Sequence, residues 1–189
     1  MNLANKLSIF RILIIPFFVA FIIYYTPEKD YIRFWALAFF SLAVLSDAAD
    51  GFVARVKGEK TVLGSIIDPL ADKLLLTTCF ITLSISDKFP FEYRLPPWLP
   101  IAVISRDVIL VIGAVIIHMG LGNLQVSPNK LGKVTTFFQM LTIIWVLLKM
   151  PYLKTICYIT VFFTIISGLT YIANGSRLLN QVVHINKKT

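Results

Sequence analysis

Four of the ten acidic residues in this 189-residue chain, Asp47, Asp50, Asp68 and Asp72, fall within a short stretch. On a helix, residues three, four and seven apart share a face. Asp47, Asp50, Gly51 and Ala54 therefore form one stripe, with Arg55 just beyond it. Thr61, Gly64, Ser65, Asp68 and Asp72 repeat the spacing if a helix already runs through Thr61. Pro69 then either lies inside that helix and kinks it or marks its first turn, and in both cases Asp68 and Asp72 face together. The helices that carry the two stripes are joined by a short basic segment, so they must pack side by side. Ala48, Gly51, Ala54 and Gly64 are small enough to let the backbones approach. Four carboxylates brought together repel one another and need counter-charge. Arg55 and Lys73 supply part of it. An all-oxygen set of carboxylates is also the ligand type preferred by Mg²⁺ or Mn²⁺, and two divalent ions would match the formal charge of the four aspartates.

The elements that must position this cluster are set by composition. The chain is 57% hydrophobic with a mean hydropathy of +0.79, more apolar surface than a soluble domain of this size can bury. A helix spanning a bilayer needs roughly 20 mainly apolar residues. Six such stretches are present, near Leu7 to Tyr25, Phe34 to Ala54, Ile66 to Ser86, Leu99 to His118, Val134 to Leu148 and Leu153 to Ala173. The expectation is an all-α integral membrane protein, a six-transmembrane-helix bundle with a short N-terminal juxtamembrane arm. Residues 1–189 form a single domain without repeats or linkers. The first stretch lacks a small-residue cleavage site and runs through Pro16 into Phe17 and Phe18, so it is expected to be a retained helix rather than a signal peptide. Cys79 and Cys157 lie within apolar spans, without disulfide or metal-ligand spacing, and are expected to pack inertly. His118 and His184 stand alone, whereas a zinc site needs clustered ligands.

Each charge placed deep in a bilayer costs about 2.5–3.5 kcal/mol, which makes ionisable residues within the spans functional candidates. With six spans, eleven cations fall on or near the side of the termini: Lys6, Arg11, Arg55, Lys57, Lys60, Lys73, Lys130, Lys133, Arg177, Lys187 and Lys188. Six fall on the other side, namely Lys29, Arg33, Lys88, Arg94, Lys149 and Lys154. The positive-inside rule then places both termini and the aspartates at the cytoplasmic face of a membrane. The net charge of +8 reads as attraction to anionic lipid headgroups, with no nucleic-acid partner expected. A divalent-cation transporter is the alternative from a different class. Transporters commonly show inverted repeats and helices interrupted at the midplane, and the sequence shows neither.

The segment Asp47-Ala-Ala-Asp50-Gly51-Phe-Val-Ala54-Arg55, followed by Gly64, Asp68 and Asp72, matches all eight fixed positions of the signature D-x2-D-G-x2-A-R-x8-G-x3-D-x3-D. In this it resembles the CDP-alcohol phosphotransferases. The resemblance implies six membrane helices, a cytoplasmic-side site, a homodimer, and displacement of CMP from a CDP-linked lipid by an alcohol hydroxyl. It implies further that Asp47, Asp50 and Asp68 are metal ligands. Asp72 would complete the metal site and act as the general base, while Gly51 and Arg55 contact the CDP moiety with Thr61 beside them. Asn5, Ser8 and Arg11 resemble the N-terminal Asn, Ser/Thr and Arg of related synthases that help hold the nucleotide. The chemistry of the side chains agrees. Carboxylates cannot bind a pyrophosphate without intervening metal ions, Arg55 offers a planar fork of donors, and Gly51 leaves room for close approach.

The remaining cations bear on the acceptor. An unpaired guanidinium at Arg106, inside the fourth span, would be expensive, so it is expected to face the bundle interior or pair with a carboxylate or phosphate, Asp107 being the nearest partner. Together with Lys130, Lys133 and Arg177 it would make a basic pocket suited to an anionic acceptor such as glycerol 3-phosphate. Lipid-headgroup anchoring is the competing reading for Lys130 and Arg177. The opening Asn5-Lys-Leu-Ser8-Ile-Phe-Arg11 and the run Asp68-Pro69-Leu-Ala-Asp72-Lys73 are similar to phosphatidylglycerophosphate synthases, which use CDP-diacylglycerol and glycerol 3-phosphate. Where those usually carry Arg-Glu and a second Arg eight positions on, this chain has Arg106-Asp107 and Ala114. The stretch Ile104-Ser-Arg106-Asp107 instead resembles cardiolipin synthases, whose acceptor is phosphatidylglycerol, and that activity is the nearest alternative.

Overall fold

The computed structural model describes the backbone of residues 3–57, 62–121 and 130–186, and the side chains of 7–47, 70–115 and 131–176. Among the described residues there are six long helices and no strand: α1 (Leu3–Tyr24), α2 (Tyr31–Lys57), α3 (Val62–Ile85), α4 (Trp98–Leu121), α5 (Lys130–Leu147) and α6 (Leu153–Asn186). They follow the six apolar stretches of the sequence. The expected N-terminal arm is the first part of α1, which is continuous from Leu3 and accommodates Pro16 in its interior. Since α3 begins at Val62, Pro69 falls inside it rather than in its first turn.

This is an all-α membrane protein, and its polarity is inverted relative to a soluble one. Leu13, Phe17, Leu45, Ile101, Phe162 and Leu169 are exposed, whereas Arg11, Arg33, Gln139, Thr160 and Thr164 are buried. Isolated exposed apolar residues are ordinary, but continuous apolar helix surfaces call for lipid. Among the described residues, the segments Leu7–Tyr24, Phe91–Val115 and Leu153–Ser176 are long and apolar enough to cross a membrane, and Leu131–Leu147 is a shorter apolar helix.

The chain divides into two compact units, Met1–Pro100 with Met140–Leu153, and Ile101–Gln139 with Lys154–Thr189. In the first, α1 packs against both α2 and α3. Aromatic contacts lock α1 to α2: Phe21 meets Phe39 edge-on with centroids 5.2 Å apart, and Phe18 lies 6.2 Å from Phe40. This packing fixes the face of α1 that carries Ser8 and Arg11, three residues apart and both buried.

The corner between α1 and α2 is held by charge. Asp30 immediately precedes α2; its carboxylate accepts hydrogen bonds from Arg33 Nη2 at 2.6 Å, Lys149 Nζ at 2.6 Å and the Tyr25 hydroxyl at 3.2 Å. Arg33 also donates to the carbonyl of Leu147, one of the last carbonyls of α5, which has no helical partner. Beyond it α5 closes with Met150 N–H on the Trp145 carbonyl and Lys149 N–H on the Val146 carbonyl, both at 3.0 Å. That pattern requires a left-handed residue, here Lys149 with φ of 51°. The bond from Lys149 to Asp30 supports a backbone conformation that glycine would adopt more readily.

In the second unit, α5 and α6 pack through polar side chains at helical spacing. Thr135 and Gln139 on α5, and Thr160, Thr164 and Ser167 on α6, are all buried. The Thr135 hydroxyl lies 2.8 Å from the Leu131 carbonyl and 3.0 Å from that of Phe163, while Thr160 donates to the Phe138 carbonyl at 3.3 Å. Phe138 and Phe163 stack nearly parallel with centroids 4.7 Å apart. Small hydroxylated residues permit close helix approach and bond across it, which apolar side chains in lipid cannot do.

Candidate functional site

The acidic cluster in the first unit is organised around Arg11. Its guanidinium is fully buried and forms an ion pair with Asp47 at 3.0 Å and another with Asp72. One cation on α1 thus ties together α2 and α3. The two carboxylates keep access to solvent, with side-chain exposures of 36% for Asp47 and 28% for Asp72. Buried neighbours hold them in place. Ser46 donates to the Ala43 carbonyl at 2.7 Å, and Ala71, Leu75 and Leu76 pack inward along α3.

The sequence offered Arg55 and Lys73 as part of the counter-charge; the structure adds Arg11 to that task. No short-range pattern reveals this, because Arg11 and Asp72 are 61 residues apart. The only local signal is the pairing of Ser8 with Arg11 on one face of α1. Asp50, Gly51, Arg55 and Asp68 lie on α2 and α3 and Asn5 lies on α1, but their side chains fall outside the described residues, as does Thr61 altogether. Among the described side chains no group of three metal-ligating residues is complete. The two aspartates that are described converge on a single positive charge through hard oxygen donors. That is the donor chemistry a magnesium or manganese ion requires.

The second unit positions the other singled-out cation. Arg106 on α4 is about nine-tenths buried, with 10% side-chain exposure, and its Nη1 contacts Asp107 Oδ1 at 2.7 Å. Its Nη2 donates to Ser167 Oγ on α6, also at 2.7 Å. Two glycines make the room: a Cβ on Gly168 would lie 3.6 Å from Arg106 Cγ, and one on Gly132 would lie 3.3 Å from Arg106 Nη2. The expected pairing of Arg106 with Asp107 is therefore present. Ser167, Gly132 and Gly168 were not singled out in the sequence, where a Ser-Gly pair on an apolar helix is their only mark. Lys133 is exposed. Lys130 and Arg177 lie on α5 and α6 with side chains outside the described residues.

Cys79 and Cys157 are both buried free thiols, as inert packing residues should be.

An all-α membrane architecture with carboxylates of α2 and α3 paired to a buried cation on α1 defines the class of membrane protein. The chain belongs to the CDP-alcohol phosphatidyltransferase family, whose model matches residues 1–166. It is 32% identical to a CDP-diacylglycerol–glycerol-3-phosphate 3-phosphatidyltransferase of Bacillus subtilis, over 92% of this chain and 95% of that protein. Proteins of the same name are 34% identical in Aquifex aeolicus, over 76% of this chain and 74% of the relative, and 31% identical in Escherichia coli, over 77% and 76%.

Proposed function

We propose that this protein transfers the phosphatidyl group of CDP-diacylglycerol to sn-glycerol 3-phosphate, releasing CMP and forming phosphatidylglycerophosphate. The observation that carries the reading is the convergence of Asp47 and Asp72, two positions of the family signature, on one buried guanidinium. The names of the relatives support the choice of acceptor.

In this reading Asp47, Asp50, Asp68 and Asp72 hold divalent cations, Mg²⁺ or Mn²⁺ and two in number by charge. When bound, the ions would neutralise the pyrophosphate and polarise the phosphoryl group under attack. Gly51, Arg55 and Thr61, with Asn5, Ser8 and Arg11 from α1, hold the CDP moiety. Asp72 takes the proton of the acceptor hydroxyl as its oxygen forms a bond to the phosphatidyl phosphorus. The bond from that phosphorus to the CMP oxygen breaks, and CMP leaves with the electron pair. Asp72 is suited to the role because its carboxylate is partly exposed while the ion pair with Arg11 fixes its position.

Arg106, with Lys130, Lys133 and Arg177, takes the phosphate of the acceptor. Asp107 and Ser167 engage two of the five N–H groups of Arg106. Its Nε–H is buried without a hydrogen-bond partner among the described residues. Donors in a fixed planar fork match a phosphate dianion. Six spans with both termini and the site at the cytoplasmic face of the cell membrane, and assembly as a homodimer, complete the proposal.

The test is product identity. Membranes containing the protein are incubated with CDP-diacylglycerol and either glycerol 3-phosphate or phosphatidylglycerol. Phosphatidylglycerophosphate from the first acceptor is the expected product. Cardiolipin formed from the second, with none from the first, would assign the activity that the Ile104-Ser-Arg106-Asp107 stretch resembles.

A further inference from the structure

The geometry points to Ser167 as a positioning residue that sets the affinity for the acceptor by fixing the guanidinium of Arg106. This rests on the proposed reading that Arg106 binds the acceptor's phosphate, and adds a residue from a different helix to that site.

A long arginine side chain has many rotamers, and holding it in one of them before the ligand arrives removes an entropic cost from binding. Arg106 is held from three sides. Asp107 Oδ1 takes Nη1 at 2.7 Å and Ser167 Oγ takes Nη2 at 2.7 Å. On the third side the α5 backbone approaches at Gly132, where an added methyl group would stand 3.3 Å from Nη2, closer than an ordinary contact. The stem lies along α6, with Cγ only 3.6 Å from a Cβ position at Gly168. The anchored atoms are the terminal nitrogens, and the Nε–H is the donor left without a partner among the described residues. A buried cationic donor that lacks an acceptor is costly, and an acceptor oxygen from a phosphate would relieve that cost.

Asp107 alone cannot define this arrangement. It neighbours Arg106 on the same helix, so it follows any change in the tilt or rotation of α4. Ser167 belongs to α6 and references the guanidinium to a second helix. A serine hydroxyl also adds no negative charge to that of Asp107, whereas a second carboxylate would compete with the substrate.

Removing the hydroxyl should therefore weaken acceptor binding selectively. With the full-length protein in detergent–lipid micelles, Ser167→Ala is expected to raise KM for glycerol 3-phosphate by about tenfold or more, the worth of one hydrogen bond to a charged group. KM for CDP-diacylglycerol and kcat should stay within about twofold. Ser167→Thr, which keeps the hydroxyl, should restore KM to near the wild-type value. Gly132→Ala, whose added methyl would stand 3.3 Å from Nη2, is a second probe of the same seat and should raise the same KM. Arg106→Gln separates the proposal from the reading beneath it. If Arg106→Gln raises KM for glycerol 3-phosphate while Ser167→Ala and Gly132→Ala leave it unchanged, Arg106 binds the acceptor without help from Ser167 and the proposal is overturned. If Arg106→Gln itself leaves that KM unchanged, Arg106 does not bind the acceptor and the assignment under the proposal fails with it.

Discussion

The guanidinium of Arg11 stands between two carboxylates from different helices, so its removal takes away a positive charge that Asp47 and Asp72 share. Breaking a buried ion pair by deleting one partner costs about 3–5 kcal/mol. Both aspartates are partly exposed, and water will offset some of this, which places the cost near the lower end. In detergent without divalent cations, Arg11→Gln should lower the melting temperature by about 6–12 °C. A large excess of Mg²⁺ or Mn²⁺ should recover much of the loss, because a cation bound by the aspartates replaces the missing charge. An unchanged melting temperature would contradict the counter-charge role of Arg11. A loss that neither ion relieves would contradict metal binding by the aspartates. That Asp47 and Asp72 belong together was legible in the sequence, because the aspartate spacing repeats on two helices. The partnership with Arg11 was not, since it is created by packing of α1 on α2 and α3. A nucleotide contact for Arg11 was suggested by the resemblance alone. The ion pairs add a structural task for the same side chain.

At the level of elements, the apolar runs announced the six helices, while the connections between them depended on partners far apart in the chain. Arg33 and Lys149 counted in the sequence only as cations on one side of the membrane. In the structure they converge on Asp30, Lys149 from 119 residues away. The hydrogen bond from Arg33 first, then burial working in the opposite direction, and then the bond from Lys149 leave the Asp30 carboxyl well below its ordinary value of 3.8. The sign follows directly. A carboxyl whose pKa is lower in the folded state contributes stability that is fully present above its unfolded value and is lost as pH falls toward the folded one. Lys149 behaves in the complementary sense. Burial disfavours its charge, but the bonds to Asp30 and Tyr25 prevail and raise it above 10.5, so its contribution persists through neutral pH and declines only in strong alkali. Asp30→Asn should lower the melting temperature by a constant amount between about pH 5 and 8, and the deficit should shrink as the pH drops below about 4. A deficit independent of pH down to about pH 3 would show that shape rather than charge holds the corner.

For the whole molecule, many large apolar side chains among the described residues are exposed while Arg11, Arg33 and a run of threonines are buried. This follows from the bilayer acting as solvent. Lipid accepts Leu13 or Phe162 at no cost but forces every ionisable group inward and into partnership. The composition made the membrane class legible, and the eight-residue signature made the family legible; the family match over residues 1–166 agrees with both. The seat of Arg106 was not legible, because Ser167, Gly132 and Gly168 acquire meaning only when α4, α5 and α6 are packed. The proposed reaction is tested on the intact protein. The most direct measurement is the CMP released by purified protein from CDP-diacylglycerol in the presence of glycerol 3-phosphate, before and after chelation, with Asp72→Asn in parallel. The expected result is CMP release matching phosphatidylglycerophosphate formation, abolished by chelation, restored by Mg²⁺ or Mn²⁺, and absent from an Asp72→Asn protein that still binds CDP-diacylglycerol. Undiminished turnover after chelation, or by Asp72→Asn, would contradict a carboxylate centre that works with metal ions and places the base at Asp72.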